Sequence, residues 1–212
     1  VHGFNAMQIG LVMMWVGLPQ LIVVPIVLRL MPYFDIRILL AFGAFIFGLS
    51  CLLNIHMTAD YGHDHLVWPN IVRGLGMPFI MVPLNVIATA GIEKEQVGSA
   101  SGLFNVLRNL GGAVGIATLA TFLSLRQQFH SNHIVENVSA YNPFTMERLQ
   151  GFATHFGKLG ADPILAQEQA LRAVDAIARR ESFIMAYNDC FYFMGAAFIV
   201  SLGFIALMKK PG

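Results

Sequence analysis

Charge is scarce in this chain. Of 212 residues only 12% are Asp, Glu, Lys or Arg, against roughly 25% in a soluble domain, while 56% are hydrophobic and mean hydropathy is +0.64. That deficit excludes an ordinary soluble domain and identifies an all-α integral membrane protein, since long apolar runs without a period-2 alternation fit helices in lipid and not a transmembrane barrel. Charge of one sign is also missing. The formal net charge of +1 leaves neither the basic footprint of a nucleic-acid binder nor an acidic tail. Cysteine is nearly absent: Cys51 and Cys190 both fall inside apolar segments and read as small buried hydrophobes, not as a disulfide or metal pair. No initiator Met opens the chain, and no basic-then-apolar signal pattern precedes its first apolar run, which suggests a piece of a longer protein.

What is there is a series of five runs long enough to span a bilayer, at residues 7–31, 36–57, 66–92, 98–125 and 183–208. The most informative is GSASGLFNVLRNLGGAVGI, residues 98–116. Wound at 3.6 residues per turn, it puts Ser101, Asn105, Arg108, Asn109, Gly112 and Gly115 on one face and Leu103, Val106, Leu107, Leu110 and Val114 on the other. Arg108 lies about 15 Å along the axis from Gly98, near the middle of a hydrocarbon layer roughly 30 Å thick. A guanidinium at that depth needs a partner or water. Asn105, Arg108 and Asn109 are therefore expected to face a bundle interior or central cavity; the alternative is that Arg108 only locks helices together.

The other runs carry weaker signals. The first holds Pro19 and Pro25, which predict a kink, and Gln20, which either lines a cavity or hydrogen-bonds a neighbouring helix. The second has Gly43, Gly48 and Ser50 and, past Arg37 at its start, no Asp, Glu, Lys or Arg, so its role is packing. The third contains Pro69, Pro78 and Pro83 with Gly74 and Gly76, and carries Asn70, Arg73 and Asn85; this punctuation reads as a broken helix beside a water-lined site, the alternative being prolines carried in an ordinary packed helix. Between the second and third runs, His56, Asp60, His63, Asp64 and His65 match no standard metal spacing, so no metal site is expected.

Residues 126–182 form a long connection with six basic and six acidic side chains. Asn142-Pro143 and Asp162-Pro163 each offer an N-cap followed by proline at the first helical position. The first predicts an amphipathic helix with Met146, Leu149, Ala153 and Phe156 on one face, ending at Gly157 and Gly160. The second predicts another, with Ile164, Leu171, Val174 and Ile177 recurring toward Arg180. The chain thus divides into spans at 1–125, an outer loop at 126–182, and a last span with its tail at 183–212. Arg29, Arg37, Lys94, Lys209 and Lys210 fall on one side, which places the start of this stretch outside and its end in the cytoplasm. Asp189 is an intramembrane acid expected to pair with Arg73 or Arg108, these three being the only charged residues well inside the predicted spans.

GSASGLFNVLRNLGGAVGIA, WPNIVRGLGMPFIMVPL and the long loop leading to an AYND-type last helix together resemble the fourteen-helix drug:proton antiporters of the major facilitator superfamily, the EmrB/QacA type. The resemblance covers essentially the whole chain and implies the last five of fourteen helices, an incomplete C-terminal six-helix bundle. It further implies export of hydrophobic drugs by alternating access between two bundles, coupled to protons through acids in the missing N-terminal part. Implied partners are the lipid bilayer, a membrane-fusion adaptor and an outer-membrane channel at a bacterial inner membrane; no cofactor and no nucleic acid are implied. Gln20, Asn70, Arg73, Asn85, Asn105, Arg108 and Asn109 become candidates for the cavity or for coupling. Asp35 and Arg37 match part of the superfamily's cytoplasmic loop motif, whose glycines are absent here. Two other readings compete: a non-transporting membrane subunit or receptor, and an intramembrane serine protease built on Ser101 in SASG. The second lacks a histidine well inside any span to serve as base.

Overall fold

The computed structural model describes residues 5–58, 62–89, 92–93, 95–137, 143–160 and 162–207. They form six helices: α1 (Ala6–Leu30), α2 (Ile36–Leu52), α3 (His63–Thr89), α4 (Val97–Asn137), α5 (Pro143–Lys158) and α6 (Pro163–Leu207). No strand occurs among the described residues. The chain divides into two compact units, one from residues 2–56, 60–120 and 190–212, the other from residues 57–59 and 121–189.

In the first unit, α1 opens on a reciprocal cap. The Asn5 side chain accepts from the Gln8 backbone N–H at 2.9 Å, and the Gln8 side chain accepts from the Asn5 N–H at 3.0 Å. Asp35 caps α2 by accepting from the Arg37 N–H at 3.3 Å. α2 is 17 residues long, shorter than the expected run to residue 57, because the chain turns at Leu53 and Asn54 bonds back to the Ser50 carbonyl at 3.1 Å. Four described helices are long and apolar enough to cross a membrane, and α2 is a shorter apolar helix of about 26 Å, at the lower limit of spanning length.

The third run is not broken. α3 is continuous through Pro69, Pro78 and Pro83, with Pro83 fully buried. A proline removes one backbone bond from the ladder, and packing against neighbouring helices holds the rest in helical form. That packing is close because three glycines meet other chain segments where a side chain could not. A Cβ on Gly43 would lie 2.7 Å from Phe79 Cβ, one on Gly76 2.9 Å from Ile46 Cγ2, and one on Gly74 2.5 Å from the Val16 carbonyl oxygen. α2 and α1 thus seat on α3 through glycine contacts, with Phe42 meeting Phe79 edge-on at 5.0 Å. The C-terminal stretch of α6 joins α2, where Phe198 packs on Phe47 at 4.5 Å and covers Gly48.

In the second unit, α5 forms where expected, and its Leu149, Ala153 and Phe156 are half-buried while Met146 is exposed. Its end is marked by Gly160, the one described residue with a positive φ, at 95°. α6 starts at Pro163 as expected, but the second loop helix is not a separate element. It runs without a break into the last span, and α4 likewise continues past residue 125 to Asn137. The physical reason lies in the sequence: no Gly or Pro falls between Gly115 and Pro143, or between Pro163 and Gly195, so the end of an apolar run is not the end of a helix. The expected apolar face of early α6 is also corrected. Ile164, Leu171 and Ile177 are exposed and Val174 is half-buried, whereas Ala166, Ala170, Ala178 and Ser182 are buried. The small side chains of this stretch are the buried ones, and the larger ones stay outside.

Substituting Gly74 by Ala is expected to destabilise the full-length protein by about 1–3 kcal/mol through overpacking against the α1 backbone. Gly17→Ala, at a position with nothing within 4 Å, should be neutral or slightly stabilising. Thermal unfolding in detergent measures both, and equal midpoints for the two variants would contradict the packing described.

Candidate functional site

The polar face of α4 comes first because the sequence singles it out. Asn105, Arg108 and Asn109 are all exposed, and so are Leu103, Val106, Leu107, Leu110 and Val114 on the opposite face. A Cβ at Gly98, Gly102, Gly111, Gly112 or Gly115 would meet nothing within 4 Å. Neither face of this stretch is covered by the described residues. Ser101 is half-buried in the first turns of the same helix.

Two of the amides inside the bundle tie helices together. Buried Asn70 donates from Nδ2 to the Val12 carbonyl at 3.5 Å, and Gln20 donates from Nε2 to the Met77 sulfur at 3.5 Å, so each joins α1 and α3. Of the two readings open for Gln20, the structure shows the interhelical bond. Asn85 is exposed and donates to Met81 O of its own helix at 2.7 Å. Arg73 lies with its guanidinium carbon 5.8 Å from the centre of the Phe47 ring and 5.9 Å from that of Phe191. Asp35 serves as the α2 cap, and Nε and Nη2 of Arg37 are buried with no hydrogen-bond partner among the described residues.

Asp189 sits in a cluster of its own, within the second unit. Its Oδ2 accepts from Arg126 Nε at 2.6 Å and lies 2.6 Å from His130 Nε2. The expected pairing with Arg73 or Arg108 is therefore corrected: the partners are Arg126 and His130, one turn apart on α4. Sequence reading placed Arg126 in a loop, just beyond a span, and so left it out of the count. The available signal was the unbroken helical run that keeps residues 126 and 130 on one face.

Around this ion pair the polar groups are arranged in order. Arg126 also lies over the Phe129 ring at 4.7 Å, and Phe129 stacks on His133 at 4.9 Å. Gln127 donates to Ser182 Oγ at 3.2 Å, and Ser182 in turn donates to the Arg179 carbonyl at 2.8 Å. Next to Asp189, the Asn188 amide engages Met57 twice, accepting from its N–H at 3.1 Å and donating to its carbonyl at 2.9 Å. One dipeptide of α6 thus fixes α4 through charge-assisted bonds and the segment at Met57 through its backbone.

Long apolar helices packed through glycines, with amides and arginines carried inside the apolar segments, define a polytopic α-helical membrane protein. Residues 1–116 match the family model of the Major Facilitator Superfamily, and the chain belongs to that family. It is 28% identical over 212 residues to the colistin resistance protein EmrB of Acinetobacter baumannii, covering 100% of this chain and 41% of that protein. It is also 28% identical over 213 residues to the multidrug export protein EmrB of Escherichia coli K12, covering 100% and 40%. The fatty acid resistance protein FarB of Neisseria gonorrhoeae is 24% identical over 209 residues, 99% of this chain and 40% of that one. The EmrB-type resemblance read from the sequence is borne out, and the chain spans about two fifths of the length of these curated relatives.

Asp189→Asn is expected to weaken both charge-assisted contacts and lower the unfolding midpoint of the full-length protein. In a double-mutant cycle with Arg126→Gln, the coupling should be about 0.5–3 kcal/mol. Strictly additive losses would show that the ion pair contributes no stability.

Proposed function

We propose that this chain is the C-terminal part of a proton-coupled multidrug exporter that works by alternating access in a bacterial inner membrane. The observation that carries this reading is similarity along the whole chain to proteins named as multidrug exporters. The uncovered polar face of α4 supports it, since an arginine and two amides presented to lipid would be costly. Asn105, Arg108 and Asn109 line a water-accessible cavity against helices of the N-terminal part, which also supplies the acids that exchange protons. Gln20 and Asn70 hold α1 on α3 beside that cavity. The substrates are hydrophobic drug-like molecules, and a periplasmic adaptor with an outer-membrane channel receives them. This stretch begins on the outer side of the membrane and ends in the cytoplasm.

The test is transport by the purified full-length protein in liposomes, following a fluorescent hydrophobic drug under an imposed pH gradient. Gradient-dependent movement of the drug is expected; a protein that moves nothing under any gradient would favour the subunit or receptor reading. For the cavity, single cysteines at positions 105, 108 and 109 should react with a water-soluble maleimide, and substrate should protect them. Cysteines at 103, 107 and 110 should react little. Equal reactivity on both faces would remove α4 from the cavity.

A further inference from the structure

Arg73 is held in a way that its two aromatic contacts do not complete. Aromatic rings near a guanidinium offer it π-electron density but no hydrogen-bond acceptor in the plane of its N–H groups, which still need partners. Nε of Arg73 is buried and has no hydrogen-bond partner among the described residues. Two further buried atoms share that condition, Ser50 Oγ and Asn54 Oδ1, on residues that are 0% and 3% exposed.

These three atoms belong to one region of the first unit. On α2, Phe47, Ser50, Cys51 and Asn54 follow the i, i+3, i+4, i+7 spacing of a single helix face. The glycine contacts give the register of the antiparallel α2–α3 pair, with Gly43 against Phe79 and Ile80, and Gly76 against Ile46 and Phe47. Each step forward on α2 is a step back on α3, so Arg73 stands level with Leu49 and Ser50. Its contact with the Phe47 ring agrees with that placement. α6 closes the third side through Phe191 on Arg73, and through Gly195 against Leu52 and Cys51.

The chemistry of the three atoms selects the ligand. Arg73 Nε can only donate, Asn54 Oδ1 can only accept, and Ser50 Oγ can do either. A carboxylate or halide would satisfy the arginine but repel the asparagine oxygen. A molecule that both accepts and donates satisfies all three, and water is the smallest that does. We infer that Ser50, Asn54 and Arg73 form an internal hydration site at the junction of α2, α3 and α6, in which bound water supplies the hydrogen-bond acceptor that the buried Nε of Arg73 lacks and the donor that Asn54 Oδ1 lacks.

Cys51 is the built-in reporter, a free thiol with 0% exposure on the same face of α2. Hydroxyl radicals generated from bound water by an X-ray pulse oxidise side chains beside that water even where bulk solvent has no access. In the full-length transporter, Cys51 is expected to be oxidised, and Ser50→Ala combined with Asn54→Leu should abolish that labelling. An unlabelled Cys51 in the unaltered protein, or equal labelling in both, overturns the site. A single variant, Ser50→Ala, leaves the Asn54 bond to the residue 50 carbonyl in place and gives a readout that does not depend on folding of the double variant. Loss of one hydrogen-bond partner of the water should lower Cys51 labelling, whereas unchanged labelling would overturn the site. Neither measurement requires transport, so failure of the exporter reading and failure of this site are distinguishable.

Discussion

Helices inside a bilayer gain little by hiding apolar side chains from one another, because the surrounding lipid is as apolar as they are. What holds α1, α2 and α3 together must come from close contact and from the few polar groups that cross between them. Gly43, Gly74 and Gly76 supply the first, bringing chain segments nearer than any Cβ would allow. Asn70 and Gln20 supply the second, each spending an amide hydrogen on a neighbouring helix. α3 is common to every one of these contacts. Its prolines are tolerated for the same reason, since a ladder with missing bonds persists where the flanking backbone is packed on two sides.

The helical membrane class, the runs of α1 and α3 and the starts of α5 and α6 were legible in the sequence because each has a local physical cause: apolar length, a cap, or proline at a helix start. What was not legible depended on distinguishing where a membrane span ends from where a helix ends. Arg126 interrupts the apolar run, yet nothing there stops the helix, and so the partners of Asp189 were sought in the wrong place. The prolines of α3 misled in the opposite sense, as composition suggested a break that tertiary packing prevents. The buried alanine face of α6 escaped because hydrophobic periodicity looks for large side chains, and here the small ones are inside. For the candidate site, sequence singled out Asn70 and Gln20 as candidates for the cavity or for coupling, and the structure shows each in a hydrogen bond between α1 and α3 whose acceptor the sequence does not reveal. The polar face of α4 is visible in both, and in the structure it is exposed among the described residues.

The Asn188-Asp189 dipeptide illustrates how adjacent residues on a helix can serve different elements. Successive side chains point about 100° apart, so Asn188 reaches the backbone at Met57 while Asp189 reaches α4. The amide bonds to a main chain, which makes it indifferent to the side chain at position 57. The carboxylate bonds to Arg126 and His130, which makes it sensitive to both.

The glycine contacts of α3 also bear on the order in which the protein is made. A side chain that becomes fixed in a packed interface gives up rotamer freedom, and glycine has none to give. The joining of α2 to α3 therefore carries a small ordering penalty at the points of closest approach. These two helices are consecutive in the chain and separated by a short connection, so they can pair as soon as both have entered the membrane. An early hairpin of this kind would present a formed surface to α1 and α6, so that α6, which follows it in the chain, finds its docking face already built.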